Sequence, residues 1–456
     1  MNILQLRKQA SGLALAIALA TGTAMVAGHI VPDAAHAQRK KKKSKEESSD
    51  SKPQYSKEFV AAFSPLNDAS NAEGANIASL RPQLDQVMAL AQNPDEKFQS
   101  GLLAYNMGIK AEDLELRLLG METMLESGKA PIDAQGQYNY IAYQTASMLK
   151  QYEKARGYLK RAMDLGFSGG ASQSDLLVAM AQNHFNTKQY AEGLGYLDQA
   201  IKAKQAAGEP LDEQLYEIAF SVAYREDLQP QVYDYAIERA ARWPTDENWR
   251  NAINVVRVLN DYGPQPTLDI LRLSRMADVM SDKQDYIIYV ETADARRLPQ
   301  EVKDVIEEGY ASGALDRDDP YIAEQLRIAT GRISADRADL PSYEKDAMAA
   351  GAELRTVVGA GSAFLNYGDY AKAAMFFEKA AAMPGADTEE VLTRLGIAQV
   401  GMGDYAAARE TFGKITGARA PIGRVWAGYA ASQSGDMTGA GSEADDGPSL
   451  QELMGA

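Results

Sequence analysis

The feature that most limits what this chain can become is an internal repeat near its C-terminal end. Gly361, Gly368, Asp369, Tyr370, Ala373 and Phe377 recur 35 residues later as Gly396, Gly403, Asp404, Tyr405, Ala408 and Phe412. Self-similarity at such a period marks supersecondary units that bury their apolar faces only by stacking on one another. From Tyr370, the residues Ala373, Phe377 and Ala380 fall at +3, +7 and +10, which is one face of a helix. Each unit therefore reads as a helical hairpin. An apolar helix leads to the Gly-Asp turn, an amphipathic helix starts at the tyrosine, and Pro384 marks that helix's end. The small residue lets the two helices approach, and the aromatic is expected to fill space between one hairpin and the next.

The same rule finds Tyr152 with Ala155, Leu159 and Ala162, and Tyr190 with Gly193, Leu197 and Ala200. A looser copy runs through Tyr233, Ala236, Ala240 and Trp243. Trp426, Gly428 and Tyr429 look like the first helix of a further hairpin whose second helix is missing as the chain turns polar. Elsewhere Leu114, Leu118, Met121 and Leu125 form one helical stripe and Val302, Val305 and Ile306 part of another. The composition agrees with an all-α chain: only 17 of 456 residues are proline, and apolar residues reach 45%.

These units resemble tetratricopeptide (TPR) repeats. With Tyr370 at position 17 of that motif, Val357, Ala360, Gly361 and Phe364 take positions 4, 7, 8 and 11, and Leu392, Leu395 and Gly396 match likewise in the next unit. The resemblance is close over 355–430, good over 138–203 and weak over 58–130 and 245–340. It implies a right-handed α-solenoid whose first helices line a concave groove for a protein or peptide partner. Carried over by position, the groove residues would be Arg355, Val358, Ser362, Asn366, Glu390, Thr393, Ile397, Val425, Tyr429 and Gln433. The subtype that clamps a partner's terminal carboxylate needs Lys and Asn where this chain has Val358 and Ser362, then Thr393 and Ile397, so that mode is not expected.

The ends read differently. Arg7 and Lys8 precede an apolar run from Leu13 to Gly28, and Ala35-His36-Ala37 follows, which is the order of a secretory signal cleaved after Ala37. The rival reading is an uncleaved inner-membrane anchor with a cytoplasmic helical body, because Arg39 to Lys45 outnumbers the basic residues ahead of the apolar run. Residues 38–57 have almost nothing to bury and are expected to be a disordered linker, whose Arg39–Lys45 run could touch an anionic envelope surface. The division that follows is 1–37 signal, 38–57 linker, 58–130 degenerate repeats, 131–245 repeats, 246–340 degenerate repeats, 341–431 repeats and 432–456 flexible tail.

Chemistry was sought and not found. A net charge of −16 speaks against a nucleic-acid partner, and the absence of cysteine removes thiol nucleophiles and thiolate metal sites. After the signal, His184 is the one histidine, at a packing position of its repeat. Gly401-Met402-Gly403-Asp404-Tyr405-Ala406 fits a dinucleotide fingerprint, but a helix rather than a strand precedes it. Asp316, Asp318 and Asp319 lead into Pro320 and read as a helix cap. No cofactor or metal is expected. The expectation is a non-catalytic interaction scaffold of the bacterial cell envelope, with a helical glycan enzyme using paired carboxylates as its enzymatic rival.

Overall fold

The computed structural model describes residues 53–435, and among them every regular element is helical: twenty α-helices and two short 3-10 helices. The signal, the basic run and nearly all of the tail lie outside the described residues. The chain divides at Ala207 and Gly208 into two units.

The first unit holds α1 (Lys57–Asn71), α2 (Arg81–Leu90), α3 (Pro94–Lys110), α4 (Leu114–Glu126), α5 (Gln135–Met148), α6 (Tyr152–Asp164), α7 (Gln173–Asn186) and α8 (Tyr190–Ala207). From α3 onward they pair as successive hairpins, each packed on the next. Local chemistry fixes the starts: Asn93 and Glu96 form a reciprocal capping box ahead of α3, with Pro94 in its first turn. Glycine fixes the crossing of α3 and α4, where a Cβ on Gly120 would lie 2.4 Å from the backbone nitrogen of Tyr105. The hairpin rule thus holds over 58–130, where the repeat pattern is faint.

The second unit holds α9 (Glu213–Arg225), α10 (Gln231–Arg242), α11 (Asp246–Val258), α12 (Pro264–Met276), α13 (Lys283–Ala293), α14 (Pro299–Ser312), α15 (Pro320–Met348), α16 (Leu354–Asn366), α17 (Tyr370–Ala381), α18 (Thr388–Gly401), α19 (Tyr405–Gly413) and α20 (Ala420–Gln433). The helices of 246–340 belong to the same unit as the clear repeats. One departs from the hairpin length: α15 runs for 29 residues and packs on both α14 and α16. Its far end is tied to α17 by Lys372 on Glu344 at 2.6 Å and by Lys379 on the Ala347 carbonyl at 2.6 Å.

The pairs α16–α17 and α18–α19 have TPR construction. Gly368 and Gly403 turn the chain at φ of 73° and 77°, a left-handed conformation that glycine adopts without a Cβ clash. Asp369 and Asp404 then cap the helices that begin at Tyr370 and Tyr405 by accepting from the backbone N–H of Lys372 and Ala407. The repeated aromatics lie somewhat differently from expectation. Phe377 and Phe412 face the glycine of their own hairpin, Gly361 and Gly396, while Phe412 also stacks on Trp426 of the next helix.

This contact separates two otherwise equivalent glycines. A Cβ on Gly396 would meet the Phe412 ring at 2.4 Å, and one on Gly361 would meet Phe377 at 2.9 Å. Helix propensity favours alanine over glycine by about 1 kcal/mol, against an overpacking cost of about 1–3 kcal/mol in a filled core. Gly396→Ala should therefore lower the melting temperature and Gly361→Ala should leave it nearly unchanged. A rise in melting temperature for Gly396→Ala would show that the ring does not press on the helix.

Candidate functional site

The segment of α12, PQPTLDILRLSRM, has no solvent face to give its charges: Leu268, Ile270, Leu271 and Leu273 are buried, and so are Asp269 and Arg272 between them. Charges in such a place persist only when paired. Asp269 is 0% exposed, and its carboxylate accepts from Arg272 at 2.9 Å and from Arg419 at 2.7 Å. Arg394 approaches it at 3.7 Å and donates to Gln265 at 2.6 Å. Arg272 also grips Glu301 of α14 with two parallel bonds of 2.7 and 2.8 Å, and Tyr289 of α13 donates to the same carboxylate at 2.5 Å.

Burial alone would raise the Glu301 pKa, but the Arg272 guanidinium beside it and the Tyr289 hydroxyl hold it below the ordinary glutamate value. Burial and the adjacent Glu301 carboxylate push Tyr289 well above a normal phenol, so it stays a donor. The consequence for stability lies on the acid side. A carboxyl with a depressed folded-state pKa contributes fully above its unfolded value of about 4.3 and loses that contribution as pH falls through the folded value. The melting temperature of the second unit should hold between neutrality and about pH 5 and fall below that. Glu301→Gln should lower it at pH 7 and flatten the acid limb; an acid limb of unchanged steepness in this variant would remove Glu301 from the account.

The same centre closes the unit. α20, the hairpin helix without a following partner, packs on α19 and also on α10, α11 and α12. Trp426 is 0% exposed and its indole N–H donates to the Asp269 backbone carbonyl at 3.0 Å. The Tyr429 hydroxyl donates to the Met276 carbonyl at 2.9 Å, and Tyr262 donates to the Ala418 carbonyl at 3.1 Å. Gly428 permits the approach to α10, since a Cβ there would meet the Ile237 side chain at 2.3 Å. The end of the hairpin row is thereby sealed against its beginning within this unit.

Closure leaves one sizeable cleft, of about 590 Å3, between α12–α14 on one side and α16–α18 on the other. Its floor is Arg272, Tyr289 and Glu301; its wall carries Asn366, Tyr367 and Tyr370; its rim carries Arg275, Asp278, Asp304 and Glu308. Arg275 binds Glu308 through bonds of 2.6 and 2.9 Å.

The ten residues read from the repeat pattern are scattered by this arrangement. Asn366 and Ile397 line the cleft. Thr393, Val425 and Tyr429 are buried against the chain itself, because α20 and α12 occupy the space that an open row of hairpins would leave free. Glu390 is half-buried and pairs with Arg394, Val358 and Ser362 are half-buried, and Arg355 and Gln433 are exposed away from the cleft lining. The pattern missed Arg272, Tyr289, Glu301 and Asp304, which come from 246–340. Their one visible sign was the Asp269-x-x-Arg272 spacing inside an otherwise apolar helix.

The remaining sequence candidates are structural. The His184 ring is half-buried, bonds Gln189 at 2.8 Å through Nδ1 and stacks on Tyr196, and burial lowers its pKa. Asp319 caps α15 by accepting from the N–H groups of Tyr321 and Ile322, and pairs with Lys283 at 2.8 Å. Gly401 to Ala406 is the turn between α18 and α19. Among the described residues no helix is long and apolar enough to cross a membrane.

No protein-family model and no curated protein matches the chain. Among solved structures, the TPR2AB-domain:pHSP90 complex of yeast Sti1 aligns at 14% identity over 67% of this chain and 97% of that one, with a TM-score of 0.17. Residues 1–338 of Acl4, an assembly chaperone of RpL4, align at 13% identity over 70% of this chain and 100% of that one, with a TM-score of 0.15. At such scores the likeness carries no argument, and the repeat assignment rests on the hairpins themselves.

Proposed function

We propose that the chain is a non-catalytic scaffold of the bacterial cell envelope, exported past its signal segment, which holds a protein or peptide partner in the cleft of its second unit. The observation that carries this reading is a rigidly framed, open cleft whose strongest acids and bases already neutralise one another. A glycan hydrolase needs a carboxylic acid with a raised pKa to protonate the leaving oxygen. Glu301 is held the other way by Arg272, and Glu308 is engaged by Arg275. The envelope assignment rests on the order of Arg7, the apolar run and Ala37.

Blocking the cleft sterically tests its use whatever the partner's chemistry. Ala311 lines the cleft and is exposed, so Ala311→Trp fills the mouth without disturbing the core. A partner crosslinked to the wild-type chain in intact envelopes should be lost from Ala311→Trp and retained by a tryptophan placed at exposed Ala371. Glycan turnover by the purified chain, abolished by a single carboxylate substitution, would overturn the scaffold reading.

A further inference from the structure

Resting on the assignment of the cleft as the partner site, we infer that its occupant is an extended peptide bearing arginine or lysine. Four carboxylates line the cleft, Asp278, Glu301, Asp304 and Glu308, against the two guanidiniums of Arg272 and Arg275. Both guanidiniums are engaged, by Glu301 with Asp269 and by Glu308 respectively. An anionic ligand therefore finds no free cation there. Asp304 takes its side-chain hydrogen bond from the neutral amide of Gln300 at 2.7 Å, and neither it nor Asp278 has a cation at ion-pair distance among the described residues. The surplus of the cleft is negative and unscreened by the chain.

Two further features narrow the class. Tyr367 and Tyr370 are half-buried in the wall, and the Tyr367 ring already carries the Arg337 guanidinium 5.0 Å from its centroid. Tyrosine faces attract cations through the ring quadrupole. Asn366 is 4% exposed; its Oδ1 accepts from the Glu301 backbone N–H at 3.0 Å, and its Nδ2 has no acceptor at bonding geometry. A buried amide donor left unmet is destabilising, and a peptide carbonyl is the acceptor that suits it. A basic peptide supplies both the carbonyl for Asn366 and the cationic side chain for Asp278 and Asp304. A small cation supplies only the second, and the cleft volume of about 590 Å3 suits the larger ligand.

Fluorescence anisotropy with the exported form, residues 38–456, tests this with labelled, end-blocked dodecapeptides alternating glycine with arginine, glutamate or serine. The arginine peptide should bind and the other two should not. Asp278→Asn with Asp304→Asn should weaken it roughly tenfold, while Glu247→Gln with Glu378→Gln, the same charge change at exposed positions outside the cleft, should alter it less than about twofold. Matching melting curves for both double variants would place the difference in binding and not in folding. Equal weakening by the two pairs would mean attraction to bulk charge and would overturn the inference, as would binding of the glutamate peptide. If Ala311→Trp abolishes capture of an envelope partner while the Asp278 and Asp304 pair leaves that capture intact, the cleft serves a partner of other chemistry and this inference alone falls.

Discussion

Asp269→Ala is expected to destabilise the second unit by about 3–5 kcal/mol, the usual cost of removing one partner from a buried ionic cluster. The figure follows from what is left behind. Asp269 is the carboxylate shared by Arg272 and Arg419 and approached by Arg394, all of them buried, and without it three guanidiniums crowd a space with too few acceptors. Glu301 can still hold Arg272 through its paired bonds, so the loss falls on Arg419 and Arg394. Asp269→Asn separates charge from shape: it keeps an acceptor for Arg419 but not the negative charge, and should recover part of the loss. Hydrogen exchange read peptide by peptide would check this, with protection falling in α12, α18 and α20 together and staying unchanged in the first unit. If Asp269→Ala melts like wild type, the cluster is not what joins these helices.

Much of this fold was legible in the chain because hairpin turns need particular residues. Gly368 and Gly403 had to be glycine-like, Asp369 and Asp404 had to cap, and so the repeat announced itself. Over 138–203 the same left-handed turn position is held by Lys150 and Lys188, at φ of 57° and 61°, which is why the match there was fainter. The charged centre was far less readable. Asp269 and Arg419 lie 150 positions apart, and no periodicity links residues on helices that meet only when the row closes. Asp269 and Arg272 did offer a sign, since two opposite charges three residues apart in a helix apolar on every side have no water to face. The groove residues failed for a related reason. Position within a repeat says which face of a helix is concave, and that face is open only while the row of hairpins stays open. Thr393, Val425 and Tyr429 are concave by position and core by closure.

Closure also changes how the unit should respond to damage at its end. In an open solenoid each hairpin contacts only its neighbours, so a weakened terminal helix frays locally. Here α20 touches α10, α11, α12, α18 and α19, and Trp426 is the largest side chain buried at that junction. It stacks on Phe412 at 5.7 Å, meets Tyr429 edge-on at 6.3 Å and donates to the Asp269 carbonyl. Trp426→Ala should therefore cost about 3–5 kcal/mol, the range for emptying a large aromatic site in a packed core. Its distinguishing effect is on where protection is lost. Exchange should rise in α10, whose Ile237 faces Gly428 across the junction, as much as in α19, which is adjacent in the chain. Loss confined to α19 and α20 would mean that the row is open in solution and that its concave face is available along its whole length. Because Trp426 and Asp269 are directly bonded, the two substitutions combined should cost less than their sum. A fully additive double variant would show that the aromatic seal and the ionic cluster hold the unit independently.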